Sequence, residues 1–174
     1  SMQPAVVRIA GILHPDPGWL EWTVDLLTQQ WGPVARISET FLFDHTDYYK
    51  SISPVLFRTF LSFQGLAGAG DLADWKIFSC SAEEKSGENR RVNIDPGYVN
   101  GSRLVLASTK DHAHRIYLRD GIFAEVRLRF IKKKWVSFDC TFPDFSSGLY
   151  DDFLDGGRSD WLGLINSSGG SWVP

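Results

Sequence analysis

The alternation of apolar and polar positions predicts a β-α-β opening. Residues 6–13 form a nearly continuous apolar run, typical of a buried strand, and turn-forming residues at 14–18 end it. A helix is predicted next from apolar residues at helical spacing: Leu20, Val24, Leu27 and Trp31. Asp16 can cap its start, and Gly32 followed by Pro33 ends it. Residues 34–43 then predict a second strand.

Beyond this opening the pattern predicts mostly strands. Residues 56–63 predict a third strand, whereas residues 71–85 fit either a helix or a strand. Short strands are indicated by apolar pairs between turn signals: Val92, Ile94, Leu104, Leu106, Ile116 and Leu118. Asp120 and Gly121 predict a tight hairpin, because glycine tolerates the positive φ of a two-residue turn. The sequence therefore predicts an α+β fold: a β-α-β opening, with a ferredoxin-like arrangement as the candidate, extended by an antiparallel β meander.

Length and composition predict a single domain. The chain has 174 residues, of which 43% are hydrophobic, enough for one sizeable core. We expect one α+β domain at residues 1–160. Residues 161–174 are expected to form a flexible tail, because Ser and Gly dominate residues 166–171.

Charge and hydropathy narrow the expected partners. A net charge of −3 and a pI near 5.8 argue against a broad surface for nucleic acid or acidic membranes. No apolar run approaches the roughly 18 residues of a membrane helix, and the N-terminus lacks a signal-peptide pattern. We therefore expect a cytoplasmic protein with neither a membrane nor a nucleic-acid partner.

Familiar catalytic and cofactor motifs are missing from the sequence. The two cysteines, Cys80 and Cys140, form no CxxC pair, so neither a disulfide framework nor a structural zinc site is indicated. The chain has no GxxxxGK[ST], GxGxxG, GxSxG or HExxH. The sequence thus names no cofactor and predicts no metal.

Ionisable residues concentrate between residues 91 and 130, interleaved with apolar strand positions. With a period of two, Arg115, Tyr117 and Glu125 share one face of the predicted hairpin and meet across it. Glu125 would face away from the apolar row of residues 122, 124, 126, 128 and 130. The alternative is an exposed cross-strand pair that contributes about 1 kcal/mol or less.

The stretch from residue 108 to residue 115 suits an anion. Lys110 and Arg115 would neutralise it, and His114 would act as general acid or base. Asp95 and Glu125 would orient that histidine or hold a divalent ion, while Tyr48 and Tyr117 would donate hydrogen bonds. Asp95, followed by Pro96 and Gly97, also fits a simple tight turn. His112 and His114 at i, i+2 are more typical of a solvated loop than of a metal site.

Seven linked motifs resemble the bacterial domain-of-unknown-function 4416 family. They are Phe43-Asp44-x-Thr46-x-Tyr48-Tyr49, Arg58-x-Phe60-x-x-Phe63, Asn93-Ile94-Asp95-Pro96-Gly97-Tyr98, Leu106-Ala107-Ser108-Thr109-Lys110, His114-Arg115-Ile116-Tyr117-Leu118, Gly121-Ile122-Phe123-Ala124-Glu125 and Thr141-Phe142-Pro143-Asp144-Phe145. Their shared order covers nearly the whole chain to about Tyr150. The resemblance implies no established activity, because the family has none.

Two hypotheses of different classes follow. In the first, the protein is an enzyme or a ligand-binding protein for a small anionic compound, phosphorylated or nucleotide-like. In the second, it is a non-catalytic scaffold or partner-binding module, and the same charged residues form a structural polar network.

Overall fold

The structure of the protein is a computed structural model that describes residues 1–43, 51–139 and 141–174. The strands of the described residues are β1 Gln3–His14, β2 Val34–Ile37, β3 Phe41–Phe43, β4 Leu56–Phe63, β5 Ala67–Gly68, β6 Asn93–Val99, β7 Arg103–Ser108, β8 Ile116–Arg119, β9 Ile122–Ile131, β10 Lys134–Ser137 and β11 Trp172–Val173. The helices are α1 Pro17–Trp31, α2 Leu72–Glu84, α3 Pro143–Ser146 and α4 Asp151–Ser168. The stretch that fits either a helix or a strand is therefore helical, as α2.

The strands form one antiparallel sheet with a ferredoxin-like core. Its central order is β6-β1-β4-β2. The units β1-α1-β2 and β4-α2-β6 each bridge one intervening strand, which is the split β-α-β arrangement of that fold. Strands β7, β9 and β10 extend the sheet beyond β6 as a meander, and β8 pairs with β9. The predicted α+β class, with its ferredoxin-like opening and antiparallel meander, is confirmed.

Apolar residues cover both faces of the sheet. Ile9 and Ala10 are consecutive on β1 and therefore point to opposite faces. On the Ala10 face, Leu27 of α1 and Ala82 of α2 complete one buried cluster. On the Ile9 face, Leu154 of α4 belongs to another. The sheet is consequently buried on two sides, which leaves room for a site at a strand edge or where strands separate.

Helix α1 begins and ends where the sequence predicts. Asp16 Oδ1 accepts a hydrogen bond from Trp19 N at 2.9 Å, and Gly32 ends the helix with φ of 89°. The predicted strand at residues 34–43 is instead two short strands, β2 and β3, both paired with β4. Ser38 lies between them, and its Oγ accepts from Phe60 N at 2.8 Å. A side-chain acceptor thus replaces a backbone one, and the ladder is interrupted.

The prediction of a flexible tail at residues 161–174 is wrong. Helix α4 continues to Ser168, and β11 pairs with the start of β1. Trp161 Nε1 also donates to Ala5 O at 2.7 Å. The Ser- and Gly-rich composition of residues 166–171 does not indicate flexibility here, because this stretch contains the end of α4. Gly169 has φ of 82° and its N–H donates to Ile165 O, which caps the helix. No helix in the described ranges is long and apolar enough to cross a membrane.

A buried histidine at the end of β1 predicts acid sensitivity. His14 is 1% exposed. Its ring nitrogen Nδ1 lies 3.1 Å from Asp16 O, and Nε2 lies 2.8 Å from Thr59 Oγ1. Burial lowers the pKa of His14, against the opposing effects of the Asp16 carbonyl and carboxylate. The unfolded chain therefore binds the proton more tightly than the folded one. The stability that neutral, buried His14 contributes is complete above the ordinary histidine pKa and is lost as the pH falls below it.

We expect the free energy of unfolding to fall by at most about 1.4 kcal/mol per pH unit below about pH 6.5 because of His14. Urea denaturation between pH 5 and pH 8 measures this slope. His14→Gln should flatten it, whereas the exposed control His112→Gln should not. An equal slope in all three proteins would assign acid sensitivity to other groups.

Candidate functional site

A cavity of about 480 Å³ opens where β6 and β7 separate. Strand β6 pairs with β7 only through residues 97–99, while residues 93–96 pair with β1 alone. Pro96 lacks the N–H that a longer ladder would require, so pairing with β7 ends at Gly97. The other wall of the opening comes from α2 and from the end of β7.

Two charged side chains of α2 form hydrogen bonds with backbone groups of β6 where this strand does not pair with β7. Ile94 N donates to Glu83 Oε2 at 2.9 Å, and Lys76 Nζ donates to Ile94 O at 3.1 Å. Arg90 Nη1 lies 3.1 Å from Glu83 Oε1. Burial raises the pKa of Glu83, against the lowering effects of Lys76, the Ile94 N–H and Arg90. The helix thus replaces a missing strand partner and brings charged groups into the cavity wall.

Asp95 lies in the cavity wall between two cations. Arg58 Nη1 is 3.1 Å from Oδ2, and Lys76 Nζ is 3.6 Å from Oδ1. Burial acts to raise the pKa of Asp95, but the charges of Lys76, Arg58 and Arg127 outweigh it, so the net shift is downward. The alternative of a tight turn at Asp95 is wrong, because residues 95–97 lie inside β6 and pair with β1.

Glu125 is the centre of a second charged cluster, directly behind the wall. Its side chain is 2% exposed and three cationic or potentially cationic groups contact it. Arg115 Nε lies 2.8 Å and His114 Nε2 2.7 Å from Oε1, and Arg127 Nε lies 2.6 Å from Oε2. Arg115 also donates to Ser108 Oγ at 2.9 Å. The expected meeting of Arg115 and Glu125 across the hairpin is observed, and the pair is buried rather than exposed.

A β-bulge explains how Arg127 reaches this cluster. The predicted apolar row of β9 is broken, because Val105 pairs with Val126 but Leu104 pairs with Leu128. Arg127 is the extra residue, so the faces exchange and its side chain is buried. The bulge places its guanidinium near Glu125 and Asp95. Burial lowers the pKa of Arg127, and the raising effects of these two carboxylates do not fully offset it.

The predicted site residues are only partly brought together. Asp95, Lys110 and Arg115 line the cavity. Glu125 and His114 form the cluster behind it. Tyr117 is not part of the site: it is 58% exposed, and its ring packs against Phe123 with centroids 5.2 Å apart. Its hydroxyl accepts from Gly121 N within the hairpin. Tyr48 lies outside the described residues.

Sequence reasoning missed several wall residues that other elements contribute. They are Arg58, Lys76, Glu83, Arg90, Asn93, Arg127 and Asp144. Asp144 is buried and accepts a hydrogen bond from the Tyr150 hydroxyl at 2.8 Å. The available signal was a charge inside an apolar segment: Arg58 interrupts β4, and Lys76 lies on the buried side of α2.

The described residues offer no obvious metal centre. Within ranges 1–43, 51–139 and 141–174, no group of three or more His, Cys, Asp or Glu side chains could hold a metal ion. His112 and His114 lie in the turn before β8, with ring centroids 5.8 Å apart.

Comparison with known proteins gives one family. The sequence profile of the domain of unknown function DUF4416 matches residues 4–161. The chain belongs to this family, as the resemblance of its motifs indicates. No curated protein and no solved structure matches it. The matched range contains the whole described cavity wall.

Proposed function

We propose that the protein binds a small anionic compound, phosphorylated or nucleotide-like, in this cavity, as an enzyme or as a ligand-binding protein. The observation that carries the proposal is an excess of positive charge around one partly open cavity. Six basic side chains line it: Arg58, Lys76, Arg90, Lys110, Arg115 and Arg127. Among the residues that the structure describes, three carboxylates line it: Glu83, Asp95 and Asp144. In a chain with net charge −3, this concentration favours an anion locally.

The residues divide by role. Lys110 attracts the anion from the wall, while Arg115 is held by Glu125 and Ser108 and so positions its neighbours. In the enzymatic version, His114 transfers the proton and Glu125 orients its ring. The basic groups line a cavity and do not form an exposed track, which favours a small molecule over nucleic acid.

Removing cavity cations should reduce binding without unfolding the protein. We expect Arg90→Ala and Lys110→Ala to lose most of the thermal stabilisation that phosphate or AMP gives the wild type. Lys134→Ala is the matched control, because it removes an exposed positive charge from β10, which does not line the cavity. Differential scanning fluorimetry measures the shift. Equal shifts in all four proteins would contradict the proposed location.

Cys80 provides an independent test of where the anion binds. Its thiol lines the cavity and is partly exposed, and burial raises its pKa. In a Cys140→Ser background, we expect saturating AMP to slow alkylation of Cys80 by about fivefold or more. The bound ligand covers the thiol, so the rate of alkylation follows the fraction of the protein that is free of ligand. Mass spectrometry of quenched samples gives the rate. Unchanged alkylation at saturating ligand would place binding elsewhere.

The scaffold hypothesis has an observation of its own in its favour. Arg115 donates to Glu125, to Ser108 Oγ and to Lys110 O without any ligand, as a member of a structural network would. It predicts that no phosphate, nucleotide or carboxylate raises the melting temperature, whereas disruption of the network lowers it. An anion that stabilises the wild type and protects Cys80 would exclude it.

A further inference from the structure

We propose that the ligand is an amphipathic anion, with a flat aromatic or apolar body that carries one or two negative charges, and not a polyphosphate. This inference rests on the proposed function and specifies its substrate class. It follows from two properties of the same cavity: the limited size of its charge excess and the apolar character of one wall.

The charge excess of the described wall matches a singly or doubly charged ligand. Asp95 already pairs with Arg58 and Lys76, and Glu83 pairs with Arg90. Counting Glu125 behind the wall, six basic side chains meet four carboxylates, an excess of two positive charges. A nucleoside triphosphate carries about four negative charges at neutral pH, so burying it here would leave charge uncompensated, which is costly in a low-dielectric site.

Much of the described wall is apolar. Its apolar residues come from β3, from the end of β7 and from the segment around α3: Phe43, Leu106, Ala107, Phe142, Pro143 and Phe145. Phe142 is 44% exposed although it lines the cavity. A phosphate or a sugar phosphate would leave this surface wet, whereas a planar ring would stack on Phe142 and bury it. The apolar wall thus requires a ligand with an apolar part.

The aromatic and cationic groups are in direct contact, so one compact ligand can touch both. The guanidinium carbon of Arg127 lies 4.8 Å from the Phe142 ring centroid and 5.3 Å from that of Phe145. Arg58 lies 5.2 Å from the Phe43 ring centroid. A cavity of about 480 Å³ accommodates a molecule of nucleoside monophosphate size. A nucleoside monophosphate and an aromatic carboxylate share the required chemistry.

Calorimetric titration of the wild type with four probes tests the ligand class. We expect AMP to bind about tenfold or more tightly than inorganic phosphate, because base stacking adds to the ionic contact. ATP should bind no more tightly than AMP. Naphthoate tests whether an aromatic carboxylate is sufficient for binding. If naphthoate binds more tightly than phosphate, a planar aromatic acid fits the site. If AMP alone binds, the ligand is a nucleotide, which still belongs to the proposed class of amphipathic anions.

A matched pair of phenylalanine variants locates the stacking surface. Phe142→Ala should weaken AMP or naphthoate by about tenfold while leaving phosphate affinity unchanged. Phe138→Ala is the control, since Phe138 also packs against an arginine, Arg129 at 5.4 Å, but does not line the cavity. Melting temperatures of both variants show that each is folded.

The outcomes separate this inference from the proposed function. If phosphate and ATP bind as tightly as AMP and Phe142→Ala changes nothing, anion binding stands but the amphipathic ligand is excluded. If none of the four probes binds the wild type, both proposals fail together. If aromatic anions bind selectively and depend on Phe142, both are supported.

Discussion

Glu125→Gln is expected to lower the free energy of unfolding by about 3–5 kcal/mol, as when one partner is removed from a buried ion pair. The substitution keeps the shape of the side chain but removes its charge. Arg115 and Arg127, at 3% and 9% side-chain exposure, would then be buried without their counterion. Their desolvation would no longer be offset. Urea denaturation followed by tryptophan fluorescence measures the change.

Glu39→Gln is the control for Glu125→Gln, because Glu39 is exposed and its replacement should change stability by about 0.5 kcal/mol or less. A second variant, Glu125→Leu with Arg127→Met, removes the carboxylate and one of the two buried guanidinium groups, and tests how much of the loss arises from an unpaired cation. It should recover part of the stability. If Glu125→Gln were as stable as the wild type, the charge of Glu125 would not be needed to compensate Arg115 and Arg127. The cluster behind the cavity wall would then not be a structural ion-pair network.

Local features of the fold could be predicted because they depend on residues close in sequence. The Asp120 and Gly121 hairpin was predicted, and φ values of 52° and 77° at these residues show the expected turn. Helix α1 was predicted from its apolar spacing and its Asp16 cap. Both signals lie within a few residues of the structure that they specify.

The cavity wall could not be predicted, because it depends on strand order and register. Arg58 reaches Asp95 only since β4 and β6 flank β1, with Leu13 opposite Arg58 and Gly11 opposite Asp95. Nothing in the sequence between residues 58 and 95 records that pairing. Arg115 and Glu125 lie on one hairpin and could therefore be predicted as neighbours, but their facing depends on a register shift between residues 117 and 119 that pairs Ile116 with Ala124.

Two errors share a physical cause, which is that context changed the meaning of a local pattern. The alternation of β9 was assumed to continue, but a bulge at Arg127 shifts it by one residue. The Ser and Gly residues after Ile165 predict a flexible tail, whereas Gly169 ends α4 and β11 pairs with β1. In both places the pairing between strands, which the local composition does not record, accompanies the unexpected conformation.

Gly97→Ala is expected to be the most disruptive of the small substitutions. A Cβ at this position would lie 2.0 Å from Val105 O and 2.6 Å from Leu106 Cδ2. The first of these is backbone, so the contact cannot be relieved by a rotamer change. Strands β6 and β7 would have to move apart at the last pair before they separate around the cavity. We expect a loss of about 3 kcal/mol or more, at or above the upper end for overpacked sites.

Gly163→Ala is the matched control for Gly97→Ala. Gly163 lies inside α4, and a Cβ there would meet nothing within 4 Å, so the change should raise stability by about 0.5–1 kcal/mol through helix propensity. The two variants carry the same added methyl group, and opposite signs in urea denaturation would show that the close approach of β6 and β7 is responsible. Because a shift of β6 against β7 at this pair would also move Asp95 and Leu106, which line the cavity, the AMP-induced thermal shift should fall in Gly97→Ala and not in Gly163→Ala. A Gly97→Ala protein with wild-type stability would mean that the two strands are farther apart here.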